Sequence, residues 1–295
     1  MHTNSKFTGT GVALVTPFKK DKSIDKKSIV RIVNHIIEGG AEYIVVLGTT
    51  GESVTLTKEE KQLVVSLVVQ TVNKRVPIVM GLGGNNTQEI INAMNHPSDF
   101  KGIDALLSVS PYYNKPNQEG IYQHYKALAK VSRLPIILYN VPGRTGSNIS
   151  AETTLRLARE FKNIIGIKEA SGNLEQAMKI IKNKPSSFKV ISGDDSLTLP
   201  MIACGAEGVI SVVANAFPKD FSEMVRQTLA GNLPKARTLH YKLTDITEQL
   251  FADGNPGGIK AALEILDLCK AYVRLPLMPI NAETRKKLEQ LIAHY

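Results

Sequence analysis

Residues 163–172 read Asn-Ile-Ile-Gly-Ile-Lys-Glu-Ala-Ser-Gly, a run with the length and β-branched content of a buried strand and one charge where an apolar residue is expected. That charge is Lys168. With alternate side chains on opposite faces, Ile165 and Ile167 fall together, while Gly166, Lys168 and Ala170 share the other face. The lysine therefore has very small neighbours and a hollow around it. Desolvation in such a hollow disfavours the ammonium and raises the share of neutral amine, which in free lysine is only about four in ten thousand at neutral pH. A neutral amine attacks carbonyl carbon and gives an imine. The competing place for such a lysine is a strand end, where the side chain snorkels to water or meets a carboxylate such as Glu169.

Working outward, this run is the sixth of eight short apolar or β-branched segments: Gly11–Phe18, Tyr43–Thr49, Pro77–Gly83, Ala105–Tyr112, Pro135–Asn140, Ile164–Lys168, Phe188–Ser192 and Gly208–Ala214. Segments with helical spacing lie between them. Lys58–Asn73 carries Leu63, Val64, Leu67 and Val68, and Ser150–Phe161 opens on a serine suited to capping. Strand and helix alternate with a repeat of roughly 25 to 35 residues, the size of a βαβ unit. Eight units predict an α/β fold closed as a (β/α)₈ TIM barrel. An open doubly wound sheet is the alternative, but it wants a switch point and usually a nucleotide loop, and neither is visible. After Asn215 only helices are expected, over Pro218–Ala230, Leu233–Ala252, Gly258–Tyr272 and Ala282–His294. The expected division is a catalytic barrel over residues 1–225 and a C-terminal α-helical appendage over 226–295.

Composition narrows the class. A chain of 295 residues that is 43% hydrophobic can bury a large core. Met1–Thr10 is polar and lacks the apolar core of a secretory signal, and no apolar run is long enough to span a bilayer. A cytoplasmic protein with no membrane partner is expected. The two cysteines, Cys204 and Cys269, sit in apolar segments and read as reduced core residues. His2, His35, His96, His124, His240 and His294 show no ligand spacing, so no metal is expected. The formal charge of +9 is spread along helices and not gathered in an aromatic-interleaved block, which argues against nucleic acid and for a mild attraction to anionic substrates. A basic, non-catalytic barrel that binds polyanions is the reading from a different class.

A barrel of this type builds its site where strands end. Polar residues interrupt the runs there: Gly48-Thr49-Thr50-Gly51-Glu52-Ser53, Ser110-Pro111-Tyr112-Tyr113-Asn114, Tyr139-Asn140-Val141-Pro142-Gly143-Arg144-Thr145 and Ser192-Gly193-Asp194-Asp195. Each residue type suits a step of imine chemistry. Tyr139 can move the proton as carbinolamine becomes imine, or be a core tyrosine with a satisfied hydroxyl. Thr49 and Thr50 can offer donors to a small carboxylate, or simply cap a turn. Arg144 can grip a second carboxylate as a bidentate fork, or sit in solvent. Gly81-Leu82-Gly83-Gly84-Asn85 lacks the Gly-Lys-Ser/Thr ending of a phosphate loop and reads as a tight strand exit. Asp194 and Asp195 are adjacent and point apart, which disfavours a shared cation and leaves the loop a poor phosphate cradle. No organic cofactor is expected.

Taken as a set, Gly48-Thr49-Thr50-Gly51-Glu52, Ser110-Pro111-Tyr112-Tyr113-Asn114, Tyr139-Asn140-Val141-Pro142 and Gly166-Ile167-Lys168-Glu169-Ala170 resemble the pyruvate-dependent class I aldolase family, in order and spacing from about Gly9 to Asn215. The closest branch condenses pyruvate with L-aspartate 4-semialdehyde to 4-hydroxy-tetrahydrodipicolinate, feeding diaminopimelate and lysine synthesis. The resemblance implies that Lys168 forms the Schiff base and that Thr50 with the backbone of Ile210 holds pyruvate. It further implies that Tyr139 exchanges the proton through Thr49 and a Tyr113 reaching in from a neighbouring subunit. Arg144 would bind the carboxylate of the aldehyde substrate, with Gly193 beside it. N-acetylneuraminate lyases and sugar-acid aldolases share the lysine and tyrosine, but Thr49 and Arg144 favour the condensing branch. A homotetramer is implied, without a cofactor.

Two departures stand out. Gly143 occupies a position where many members have serine. Ser53, Asn85, Glu89 and Tyr112 match a lysine effector site, yet Lys58 and Lys61 stand where lysine-inhibited members often have histidine. Two further cations oppose a cationic ligand, so weak or absent lysine feedback is expected.

Overall fold

The computed structural model describes residues 6–295; His2 and the first part of the polar Met1–Thr10 segment lie outside the described residues. Eight parallel strands close in sequence order: β1 (Gly9–Ala13), β2 (Tyr43–Val46), β3 (Ile78–Gly81), β4 (Ala105–Val109), β5 (Ile136–Asn140), β6 (Ile164–Glu169), β7 (Lys189–Ser192) and β8 (Gly208–Ser211). β1 pairs with both β2 and β8, which completes the ring. Helices cover it: α1 (Lys26–Glu38), α2 (Lys58–Val72), α3 (Thr87–Met94), α4 (Gln118–Val131), a short α5 (Pro142–Thr145), α6 (Ala151–Glu160), α7 (Leu174–Asn183), α8 (Thr198–Ala203) and α9 (Pro218–Leu229). The fold is the (β/α)₈ barrel that the alternation predicts. Three helices follow, α10 (Leu233–Phe251), α11 (Gly257–Ile265) and α12 (Ala282–Ala293). The boundary expected at residue 225 falls inside α9, which packs on β1, α8 and α10.

The helix starts follow from local chemistry. Ser150 accepts from the Thr153 amide ahead of α6, and Thr57 and Glu60 form a reciprocal capping box on α2. The expected helix Gly258–Tyr272 is shorter than its apolar content suggests: α11 stops at Ile265 and Asp267 turns into the left-handed region at φ 54°. Cys269 is buried and its thiol is pushed up to about 12 by burial, whereas Cys204, at the end of α8, is exposed and not the core residue expected.

Two apolar layers divide the side chains. One lies between strands and helices; the other fills the barrel with Tyr43, Val45, Val79, Leu107, Ile137, Ile191 and Ile210. Tyr43, at the start of β2, is fully buried, donates its hydroxyl to the Val209 carbonyl at 3.2 Å and meets Phe7 edge-on at 5.6 Å. A β-carbon at Gly11 would stand 2.2 Å from that ring, so the tyrosine requires glycine across from it. The end of the barrel at which the strands begin is thus plugged. The opposite end is open.

In β6 the strict alternation fails at one residue. Ile136 pairs with Ile164 but Ile137 with Gly166, so Ile165 is an extra residue in the ladder. Ile165 packs with the barrel interior and Ile167 with the helix layer, so the two do not share the face that simple alternation gives them. The bulge leaves Lys168 in register with Tyr139.

The C-terminal helices are fastened to the barrel by a fully buried ion pair. Lys260 Nζ donates to Glu52 Oε1 at 2.5 Å and to the Tyr272 carbonyl at 2.8 Å, over the Phe18 ring. Burial holds the Lys260 pKa below the usual lysine range, opposed by Glu52. The second Glu52 oxygen accepts from the Arg274 amide at 2.9 Å, and the Arg274 guanidinium forks onto Glu60. Removing one member strands the other charge without water. We predict that Lys260→Met lowers unfolding stability by about 3–5 kcal/mol in urea titrations. The Glu52→Gln/Lys260→Met double variant should recover a large part of that loss; an unmoved single variant would contradict the reading.

Candidate active site

At the open end lies a cavity of about 690 Å³. It is bordered by Lys168, Tyr139, Thr49, Thr50, Arg144 and Gly193, six of the residues singled out in the sequence. The rim forms because β2, β5, β6 and β7 end together and their exits carry those side chains. Lys168 is 5% exposed and Tyr139 7%. As register partners on adjacent parallel strands they project the same way, and the Lys168 ammonium nitrogen lies 4.3 Å from the centre of the Tyr139 ring.

Lys168 has no carboxylate at ion-pair distance among the described residues. Glu169, the partner offered by the alternative reading, faces away from the cavity. Its carboxylate accepts from Asn140 Nδ2 (3.0 and 3.1 Å), the Ser171 amide (2.8 Å) and Gln176 Nε2 (2.9 Å), with Asn148 completing the cluster. Consecutive residues of β6 thus separate a free amine inside the barrel from a satisfied carboxylate outside it. The room around the amine comes from small neighbours: a β-carbon at Gly193 would lie 2.9 Å from Lys168 Cε and 2.6 Å from the Ala170 methyl. Gly166, expected to contribute to the hollow, is pressed instead against the Lys189 carbonyl of β7.

Arg144 sits on α5, exposed, with no carboxylate partner among the described residues, and so offers an unoccupied fork to an anion. Space is open where a side chain on Gly143 would project, so the glycine is no steric requirement. Thr49 is exposed on the rim, while Thr50 is 2% exposed. Ile210, 1% exposed, lies in the β8 wall paired with Gly11 and does not border the cavity, although Val212 does. Tyr113 stands outside as well: its backbone is left-handed at φ 73°, its amide donates to the Thr145 carbonyl at 3.4 Å, and the residue is 87% exposed.

The two aspartates part as expected. Asp194 accepts from the Ser196 and Leu197 amides, whereas Asp195 turns inward to accept from the Ser211 hydroxyl (2.5 Å) and the Val212 amide (3.0 Å). Burial raises the Asp195 pKa to about 6, against the pull of those bonds and of Lys168. Asp195 thereby fixes the β8 exit beside Ile210. Ser53, Asn85, Glu89 and Tyr112 do not border the cavity; Asn85 and Glu89 are exposed, Ser53 and Tyr112 half-buried, and Asn114 Nδ2 ties their loops by donating to the Asn85 carbonyl at 3.2 Å. Among the described residues no group of three or more His, Cys, Asp or Glu is placed to hold a metal.

One side of the cavity was not anticipated. Thr244, Thr247, Glu248 and Phe251 of α10, with Ala252 and Asn255, also border it. Two signals in the sequence mark this region: the turn-rich Asp253-Gly254-Asn255-Pro256-Gly257-Gly258, and the single lysine, Lys260, within the apolar α11.

Known proteins resemble this chain over nearly its whole length. The model of the dihydrodipicolinate synthetase family matches residues 6–295. The 4-hydroxy-tetrahydrodipicolinate synthase of Parabacteroides distasonis is 54% identical, covering 96% of this chain and 95% of its own. Among solved structures, the chloride-inhibited dihydrodipicolinate synthase of Acinetobacter baumannii complexed with pyruvate is 43% identical with a TM-score of 0.94, covering 98% of each chain. The enzyme from Cyanidioschyzon merolae with lysine bound is 39% identical with a TM-score of 0.93, again covering 98% of each. No described helix is long and apolar enough to cross a membrane.

Proposed function

This chain belongs to the dihydrodipicolinate synthetase family, and we propose that Lys168 is the amine through which it condenses pyruvate with L-aspartate 4-semialdehyde to 4-hydroxy-tetrahydrodipicolinate. The observation that carries the reading is a buried lysine stacked beside Tyr139 in a cavity whose rim holds an arginine, neither cation having a carboxylate partner among the described residues. The relative crystallised with pyruvate supports the choice of keto acid.

The neutral amine of Lys168 attacks C2 of pyruvate, and Tyr139 gives a proton to the departing hydroxyl as the carbinolamine loses water. Loss of a C3 proton then turns the imine into an enamine whose C3 attacks the aldehyde carbon. Thr50 holds the pyruvate carboxylate from the cavity wall, and the backbone of Ile210, expected to share that task, lies on β8 two residues ahead of the cavity-bordering Val212. Arg144, beside Gly193, grips the carboxylate of the semialdehyde, which fixes the aldehyde over the enamine. Protons leave along Tyr139, Thr49 and the Tyr113 of a neighbouring subunit. The exposure of Tyr113 and of Val54, 83% exposed, supports an assembly that covers them, and a cytoplasmic homotetramer is the form proposed. The test is substrate choice. Turnover should be found with pyruvate and aspartate semialdehyde and not with N-acetylneuraminate or 2-keto-3-deoxy sugar acids; the reverse would assign the chain to another branch.

Feedback is a separate matter. Lys58 is exposed at the start of α2 and Lys61 half-buried one turn on, both beside the loop that carries Ser53. Their charges oppose an added ammonium. We expect little inhibition by L-lysine, and full inhibition at sub-millimolar lysine in an initial-rate titration would contradict this.

A further inference from the structure

Asn255 Nδ2 donates to Thr50 Oγ1 at 2.9 Å across 205 residues of sequence, and this is the only hydrogen bond to that hydroxyl among the described residues. A threonine hydroxyl carries one hydrogen and two acceptor lone pairs, whereas an amide nitrogen only donates. With Asn255 occupying a lone pair, the hydroxyl hydrogen is directed elsewhere. Thr50 borders the cavity, so the cavity receives it. The arrangement is held rigidly, because Lys260 on α11 grips Glu52 while Asn255, just ahead of α11, grips Thr50. The same short loop is thus clamped at residues 50 and 52.

A second observation points the same way. Asn255 Oδ1 is buried and has no hydrogen-bond partner among the described residues. A buried unpaired carbonyl costs stability that an apolar side chain would avoid, so the stability of the fold does not account for asparagine there. Its other end does.

We propose that Asn255 is a positioning residue that sets the polarity of the Thr50 hydroxyl, making it an obligate donor toward the carboxylate of the keto acid. This rests on the reading above that Thr50 holds pyruvate. The segment between α10 and α11 then takes part in substrate binding through Thr50.

The decisive variant is Asn255→Asp, nearly the same in shape but with an acceptor where the donor stood. The Thr50 hydroxyl must then turn its hydrogen to the aspartate and present lone pairs to the substrate. The readout is the pyruvate concentration that gives half-maximal trapping of the imine by borohydride, followed by intact mass. Asn255→Asp should raise that concentration about 10- to 100-fold, the worth of a hydrogen bond to a charged group, and Asn255→Ala by less. The half-saturating aldehyde concentration and the melting temperature should stay near wild type. In a Thr50→Val background neither substitution should add a further loss. Trapping curves for both variants that superimpose on wild type would overturn the inference, and so would a loss that persists in the Thr50→Val background, since charge or packing alone would then explain it. Wild-type protein that traps no pyruvate would overturn both this inference and the function it rests on.

Discussion

Lys168→Arg is expected to lower kcat/KM by about 10⁴-fold or more, the scale reached when a covalent nucleophile is deleted. Arginine keeps the positive charge and most of the length, and it cannot lose its proton in a protein. The substitution therefore removes the nucleophile while leaving a cation in the cavity. Lys168 meets no carboxylate among the described residues and its surroundings are Gly193, Ala170 and Tyr139, so no ion pair is broken by the change. Residual turnover would measure what the cavity achieves by holding two substrates together. A variant retaining a tenth of wild-type kcat/KM would mean that the amine's role is electrostatic.

Tyr139→Phe has the second-largest expected effect, a fall in kcat of about 10²- to 10⁴-fold, the range of a positioned acid–base group. Phenylalanine retains the ring that lies 4.3 Å from the Lys168 nitrogen and fills the same interior space. Only the hydroxyl is lost. The imine should still form, slowly, because dehydration of the carbinolamine loses its proton donor, and the pyruvate requirement should change much less than the rate. Stopped trapping with borohydride at successive times separates the two. An unchanged trapping rate would remove Tyr139 from the proton path and leave it a wall of the cavity.

Much of this site can be read in the sequence because barrel strands are short and end on one rim, so the residues that break each apolar run are the ones that meet. Lys168, Tyr139, Thr49, Thr50, Arg144 and Gly193 come together on that rule alone. Strand ends were less legible. The run Tyr43–Thr49 outlasts β2 because Leu47 stays buried while its backbone turns to φ 58°, and burial does not distinguish a strand from its exit. The Ile165 bulge was also hidden, since one extra residue leaves composition unchanged and shifts only the pairing. The helical side of the cavity was missed for a different reason. The Asn255–Thr50 and Lys260–Glu52 contacts span 205 and 208 residues, and nothing local to either partner announces the other. Tyr113 shows the limit of a single chain: its motif is clear, but the residue is exposed and does not border its own cavity.

The central claim is that Lys168 forms a covalent imine with a keto acid, and reductive trapping tests it directly. The protein is incubated with pyruvate and borohydride, digested with trypsin and mapped by mass. Trypsin does not cut after an alkylated lysine, so the label should appear on the uncleaved peptide 163–179, with the free 163–168 peptide lost in proportion. Label on any other peptide, or none at saturating pyruvate, would contradict the account.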